Sequence, residues 1–445
     1  MDKRLTVFCR TLAVCVGIGF AVPAANAAAA NDPLLSEQWA LNDPAAIGAQ
    51  EAWTQSSGAG VLVAVLDTGI QLDHPDLAAN VWTNPGEIPG NGRDDDSDGI
   101  VDDVHGANMF DLNANVNDDN GHGTHVAGII AARQGNGIGG SGVAPDAKIL
   151  PVKVLDSTMS GNTDTLAAGI RYAVDRGAKI LNVSVNTDSP TDTVTAAVRY
   201  AGEHGAIIVA SAGNNGRNID LVPSYPASLT DPAVFAIGAE DEDGLLWQLS
   251  NTGKLSVDLA APGEHIASTA TGSKYQSRTG TSAAAPFVAG SLALLAAARP
   301  DLPMSVLKAV ISETTRHTSL LDSVLGGGRL DVGAAMHKAL TGRPWRTAPA
   351  TAAAAPRPTL KLRAPSKVRV GSRVTVRWTA TAAGSVAKWR VSLDGRVVKS
   401  LPATVEGVSR RMARPGRHVW RVVGFDSTGA KVVAAKRATR VSSAR

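Results

Sequence analysis

The sequence predicts an α/β fold with a largely parallel β-sheet flanked by helices, followed by a small all-β unit. Three observations carry this expectation. Up to about 342, short apolar runs rich in β-branched residues alternate with helix-like segments. Over 343–358 that pattern gives way to Ala and Pro. From 359 onward only short strand-like runs remain, separated by Gly-containing turns. Strands that alternate with helices must cross over to reach their neighbours, which makes them parallel; strands linked by tight turns pair antiparallel.

Residues 1–27 read as a secretory leader. Lys3, Arg4 and Arg10 supply positive charge, 12–22 is apolar but too short to span a bilayer, and Ala25-Asn26-Ala27 is an A-x-A cleavage site. Both cysteines, Cys9 and Cys15, fall in that leader, so the exported product is expected to lack disulfides. No later segment reads as a membrane span, and a monomer is expected. Over 28–342, the runs 61–66, 148–155, 180–185, 207–211 and 234–238 read as buried parallel strands. Segments 163–176, 192–203 and 282–298 have helical spacing or high Ala content. Residues 343–358 read as a linker. In 359–445, the runs 360–362, 368–370, 374–378, 389–393, 397–401, 418–423 and 432–434 suggest a small β-sandwich of immunoglobulin or fibronectin-III type.

A formal charge of +3 hides an asymmetry. From Arg357 onward there are 21 Lys+Arg and 3 Asp+Glu, a net of +18; the preceding residues hold 22 and 37, a net of −15. An acidic body with a basic tail points to two units with different partners. The tail suits anionic polymers: wall polymers, lipopolysaccharide or nucleic acid. Trp378, Trp389 and Trp420 would stack on sugars or bases; the alternative is that they form the sandwich core and the Arg are solvated faces of an Arg-rich proteome.

Three segments offer chemistry. The run 63–69 ends Leu66-Asp67-Thr68-Gly69, a carboxylate at the carboxyl end of a strand, where such folds place their sites. Asn120-Gly121-His122-Gly123-Thr124-His125 sets an imidazole among small residues, and Gly280-Thr281-Ser282-Ala283-Ala284-Ala285-Pro286 sets a hydroxyl at the start of an Ala-rich helix. Acyl transfer to water needs a nucleophile, a base to take its proton and an acid to orient the base. Singly, each residue is more simply a cap or a turn. Jointly, in the order Asp, His, Ser, they resemble the subtilisin-like serine peptidases (subtilases), whose chain order this is. The resemblance runs from about Asp32 to Leu340.

That resemblance implies the subtilisin-like fold and a secreted serine endopeptidase that binds protein or peptide substrates. It implies Asp67, His122 and Ser282 as the triad and Asn214, in Ser211-Ala212-Gly213-Asn214, as the oxyanion donor. It implies that Ser184, Val185 and Asn186, with Ser211 and Gly213, bind substrate backbone by β-augmentation. The family has Gly at the place of Asn186, so a narrowed cleft and a processing peptidase with few targets is an alternative; a polymer-binding protein with an inactive body is another. Residues 31–39 resemble the start of a mature subtilase, so folding without a covalent propeptide, or with a separately encoded helper, is expected.

Structural Ca2+ is expected at two places. Asp94, Asp96 and Asp98 alternate before Gly99, like the start of an EF-hand loop, with the Ile100 carbonyl and Asp103 as further ligands; a solvated acidic loop is the alternative. The resemblance alone implies a second site at Asp32, Asp76 and Asn136. His122 and His125 lie three apart without an HExxH pattern, so no zinc is assigned.

Overall fold

A computed structural model describes residues 31–342, apart from 190, 318–320 and 322–327, and residues 360–443, apart from 381–385, 395, 403 and 426–430. The expected leader and linker lie outside the described residues. The chain divides into two compact units, Met1–Arg346 and Thr347–Arg445.

In the first unit the strands are β1 (Leu62–Asp67), β2 (Ala107–Asn108), β3 (Lys148–Lys153), β4 (Ile180–Val183), β5 (Ile207–Ser211), β6 (Val234–Glu240), β7 (Leu259–Pro262), a hairpin of β8 (Ile266–Ala270) and β9 (Lys274–Arg278), β10 (Arg316–His317) and β11 (Gly328–Arg329). The helices are α1 (Trp39–Asn42), α2 (Ala49–Trp53), α3 (His122–Ala131), α4 (Thr163–Asp175), α5 (Asp192–Glu203), α6 (Thr281–Ala298), α7 (Met304–Glu313) and α8 (Val332–Thr341). Nine strands form one sheet in the order β10-β11-β7-β6-β5-β4-β1-β3-β2. Its pairings are parallel except β10 against β11.

Side-chain period explains why these strands sit inside. In β1, Val63 and Val65 face one core with α3 and α6, while Ala64 and Leu66 face a second core with α4 and α5. In β5, Ile207 and Val209 face the first core, and Ile208 and Ala210 the second. A strand buried on both faces reads as a continuous apolar run, which is what the sequence shows. Helix α4 starts at Asn162, whose side chain accepts from the Asp164 and Thr165 N–H groups in a capping box. Helix α6 is apolar all round and long enough to cross a bilayer by length and composition, but 78% of it is buried within the fold, as in a central core helix.

Two expected strands end early. The run 148–155 stops at Lys153 and the run 180–185 stops at Val183. The second ending releases Ser184, Val185 and Asn186 from the ladder.

The second unit has β12 (Leu360–Arg363), β13 (Lys367–Arg369), β14 (Arg373–Ala380), β15 (Lys388–Leu393), β16 (Arg396–Pro402), β17 (Gly407–Arg411), β18 (Gly416–Phe425) and β19 (Lys431–Ser442). They form a three-stranded sheet, β12-β14-β17, and a five-stranded sheet, β13-β19-β18-β15-β16. Trp378, Trp389 and Trp420 are buried, and the first two rings meet edge to face at 5.8 Å. They are core residues, which removes them as a stacking surface for sugars or bases.

Candidate active site

The candidate site lies along the carboxyl ends of β1, β4 and β5, where parallel strands open a crevice. Asp67 is the last residue of β1, His122 the first of α3, and Ser282 the second of α6. Asp67 is fully buried; its Oδ1 accepts from the Thr68 N–H at 2.7 Å, and both of its oxygens face His122 Nδ1, at 2.7 and 2.9 Å. Burial opposes charging of the ring, but the Asp67 charge and hydrogen bond outweigh it and hold His122 above its ordinary value. The Nδ1 proton is thereby fixed toward Asp67, leaving Nε2 to face the cleft as an acceptor.

Helix α3 can approach β1 because of Gly123. A Cβ there would lie 2.0 Å from the Gly69 carbonyl oxygen. The helix start is fixed by a residue outside the expected set, Asp118. It accepts from Gly121 N–H at 2.7 Å, Thr124 N–H at 2.8 Å, Thr124 Oγ1 at 2.6 Å and Thr68 Oγ1 at 2.8 Å. One carboxylate thus ties the strand end bearing Asp67 to the helix start bearing His122. Its sequence signal is an acidic residue just ahead of a helix N-terminus.

Asn214 follows β5. Its Oδ1 accepts from both N–H and Oγ1 of Thr281, each at 2.9 Å. With the oxygen so held, the amide nitrogen is turned to the other side. A methyl placed on Gly280 would lie 3.2 Å from Asn214 Nδ2 and 3.4 Å from Ser282 Oγ, so both atoms border one small space. Thr281 Oγ1 also accepts from Gly213 N–H at 3.0 Å. Nothing in the sequence sets Thr281 apart beside its neighbour Ser282. Among the described residues no hydrogen bond joins Ser282 Oγ to His122, although both line one cleft of about 450 Å³. Catalytic hydrogen bonds of this kind often close only with substrate bound.

Pro286 shapes the floor. It has no N–H to give to the carbonyl four residues back, that of Ser282. Ser184 Oγ donates to that carbonyl instead, at 3.3 Å. Val185 lines the cleft beside Ser184. Asn186 is pinned: its Nδ2 donates to the Ser211 carbonyl at 2.7 Å, and its Oδ1 accepts from Ser211 Oγ at 3.2 Å. Gly213 has φ +103 and a Cβ there would lie 2.5 Å from Asn251 Nδ2, so only Gly fits.

His125 faces away. Its Nε2 lies 3.0 Å from the Ile266 carbonyl and 3.2 Å from that of Gln276, and burial with the Arg278 charge lowers it to about 3. It is a neutral donor that ties α3 to the hairpin.

Two regions bear on metal binding. Carboxylates of Asp94, Asp96 and Asp98 converge within 4.8 Å of one another. Asp103 does not join that set; it converges with Glu87 and Asp96, because Asn84 Nδ2 holds it at 2.7 Å and Tyr172 OH donates to its other oxygen. Ile100 donates its N–H to Asp98 Oδ1 at 2.8 Å. Arg176 offsets part of the charge by pairing with Asp96 and Asp98. Buried oxygens on Glu87, Asp96 and Asp98 still have no hydrogen-bond partner. Orphaned carboxylate oxygens in two triads that share Asp96 fit a hard cation such as Ca2+. Glu87 was absent from the sequence reading, lying seven residues ahead of the acidic run.

Asp32, Asp76 and Asn136 do come together. Asp32 accepts from Gly135 N–H at 2.7 Å and Gly137 N–H at 3.2 Å; Asp76 accepts from Asn136 Nδ2 at 2.7 Å and Gly140 N–H at 3.3 Å. Burial, helped by the Asp32 charge, pushes Asp76 up to about 6. Two carboxylates and an amide suit Ca2+, but here Asn136 presents its nitrogen, so the amide must turn to act as a ligand.

Residues 58–331 match the subtilase family profile. Thermitase of Thermoactinomyces vulgaris is 36% identical over 301 residues, which is 68% of this chain and 96% of thermitase. A cell wall-associated protease of Bacillus subtilis (strain 168) is 41% identical over 266 residues, 60% of this chain and 27% of that one. A solved structure of a protease from Pseudoalteromonas arctica PAMC 21717 superposes with a TM-score of 0.60 at 29% identity, covering 70% of this chain and 99% of that chain. The fold, the profile match and the near-complete span of thermitase agree: the chain belongs to the subtilase family and is a subtilisin-like serine peptidase, a hydrolase.

Proposed function

We propose that the protein is an exported endopeptidase working through an Asp67-His122-Ser282 triad and an acyl-enzyme. An extended substrate adds as a strand beside 184–186, where buried Ser211 braces Asn186. Ser282 Oγ attacks the scissile carbonyl carbon while His122 Nε2 takes its proton. The oxyanion is held by Asn214 Nδ2 and the Ser282 N–H, which sits at the positive end of α6. Collapse breaks the C–N bond, and the amine leaves with the proton from His122. Water then attacks the Ser282 ester, losing its proton to His122, and the acid departs as Ser282 recovers its hydrogen. The observation that carries this reading is the His122 Nδ1 contact with both Asp67 oxygens at 2.7 and 2.9 Å, beside the space shared by Ser282 and Asn214.

Residues 1–27 act as a leader for export, 28–342 as the peptidase unit, 343–358 as a linker and 359–445 as a basic sandwich that holds an anionic polymer; the protein acts as a monomer. Ca2+ is held by Asp94, Asp96 and Asp98 with Glu87 and Asp103 nearby, and by Asp32, Asp76 and Asn136; bound to the folded state alone, it stabilises the fold by mass action.

Asn186 favours a narrower specificity than general protein digestion, since its pinned amide occupies a position where Gly would leave space. The test incubates the protein with a fluorophosphonate probe and with casein, beside Ser282→Ala. Labelling and hydrolysis, both lost in the variant, support the reading. A folded protein that shows neither refutes it. Labelling without casein hydrolysis selects the narrow cleft.

A further inference from the structure

The three-stranded sheet of the second unit keeps an uncompensated cationic face. Along β14 the exposed positions alternate with buried Val374, Val376 and Trp378, which puts Arg373, Thr375, Arg377 and Thr379 on one outer surface. Cross-strand register adds to it. Arg363 of β12 stands opposite Arg377, and Arg411 of β17 stands opposite Arg373. Lys361 stands opposite Thr379. Like charges directly opposed in a ladder repel and destabilise the sheet. A fold under no other demand would set an acidic partner across from each Arg. Among the described residues none of these four Arg has an ion pair, and the acidic residue at the rim is Glu406. An open hollow of about 590 Å³ lies over the Lys361, Arg363 and Arg377 end of this surface.

We infer that this face, Lys361, Arg363, Arg373, Arg377 and Arg411, is the docking surface for a linear phosphodiester polymer without bases, such as a phosphodiester-linked polyol. The inference rests on the reading of the second unit as the polymer-holding part. Charge complementarity selects a polyanion, whose phosphates relieve the Arg–Arg repulsion. Alternate residues along a strand are about 7 Å apart, close to the repeat of an extended phosphodiester chain. Four of the five cations are Arg, whose planar fork pairs two N–H groups with phosphate oxygens. Bases have nothing to stack on here, because Trp378, Trp389 and Trp420 are all in the core.

The test uses the full chain carrying Ser282→Ala and synthetic poly(glycerol phosphate), with affinity measured across a salt series. Compared are Arg363→Gln/Arg373→Gln/Arg377→Gln/Arg411→Gln and a control that removes the same charge from the other sheet, Lys388→Gln/Arg390→Gln/Lys399→Gln/Arg417→Gln. The face variant should bind at least about tenfold more weakly near 0.1 M salt and lower the log–log salt slope by about 3, from roughly 0.7 per lost contact. The control should stay within about twofold. Thermal melting checks folding. Should the quadruple variant not fold, Arg363→Gln/Arg373→Gln removes one member of each opposed pair and should lower the slope by about 1.4. Equal weakening in the control overturns the face while leaving the broader polymer reading standing. Tighter binding of poly(dT) or polyglutamate overturns the assigned occupant. No binding of any polyanion overturns both the face and the broader reading.

Discussion

Replacing Thr281 with valine removes a hydroxyl that orients the Asn214 amide, the proposed oxyanion donor. Thr281 Oγ1 donates to Asn214 Oδ1 at 2.9 Å, and the Thr281 N–H makes a second bond to the same oxygen. Valine keeps the backbone bond and the shape but loses the other. One neutral hydrogen bond contributes about 1 kcal/mol net, so the ratio of oriented to misoriented amide falls by roughly a factor of five, which is the upper limit of the loss in turnover. Deleting the donor altogether, as in Asn214→Ala, costs about a hundred- to a thousandfold. The expectation is therefore a kcat lower by up to about fivefold with KM unchanged, measured on a chromogenic peptide. The cycle decides the matter. In an Asn214→Ala background, Thr281→Val should do almost nothing further to kcat, because there is no amide left to orient. If it costs as much again, Thr281 acts some other way and the reasoning fails. Stability gives a separate readout: Gly213 N–H, which donates to Thr281 Oγ1 at 3.0 Å, is left buried and unpaired, at about 1–3 kcal/mol.

Other outcomes follow from the same geometry. The base must be neutral to accept a proton, and His122 is held above its ordinary 6.5, so kcat/KM should fall as pH drops through a midpoint above 6.5; Asp67→Asn should move that midpoint down, and an unmoved midpoint contradicts the pairing. Asn186→Gly frees Ser211 and opens the cleft, so a peptide library should show broader acceptance at the subsite beside it; an unchanged profile removes Asn186 as a determinant. Calcium at a hundred times its Kd should add about 2.7 kcal/mol to thermal stability, lost on chelation and reduced by Asp96→Asn; a melting temperature indifferent to both refutes the acidic loop as a site. Gly123→Ala forces a methyl to within 2.0 Å of the Gly69 oxygen, so it should destabilise by about 1–3 kcal/mol or more and cut activity by displacing His122; wild-type melting and turnover would contradict the close approach.

What the sequence made legible is what short-range pattern controls. The buried strands of the parallel sheet were readable because each face of Val63 to Leu66 or Ile207 to Ala210 meets an apolar core, leaving unbroken apolar runs. The meeting of Asp67 with His122, and of His122 and Ser282 on one cleft, was readable because small neighbours signal close backbone approach. The rest depended on register and distance. Nothing local says that Ser184 substitutes for the N–H that Pro286 lacks, since the two are about a hundred residues apart and meet only through packing. Nothing local sets Asp118 apart from the Asn and Asp residues around it, or Glu87 from the turn seven residues ahead of the acidic run. Strand β17 was missed because Ser409, Arg410 and Arg411 show no apolar alternation; its outward Arg reflect the charged face rather than the core. The expected Asp94-Asp96-Asp98-Asp103 shell split because Tyr172 and Asn84, from other segments, draw Asp103 toward Glu87.

The arrangement of the sheet has a temporal consequence. β1 lies between β3 and β4, with Val63 paired to Ile149 on one side and Ile180 on the other, and the helix that starts at Ser282's neighbour packs on β4, β5 and β6. Each pairing closes a long loop, and such contacts form slowly. The carboxylate, the imidazole and the hydroxyl therefore meet only after nearly all of the first unit has condensed. An unfinished chain that already carries Asp67 and His122 has no assembled site and is expected to cut nothing, its own unfolded neighbours included. Topology here acts as a timer that arms the protease last.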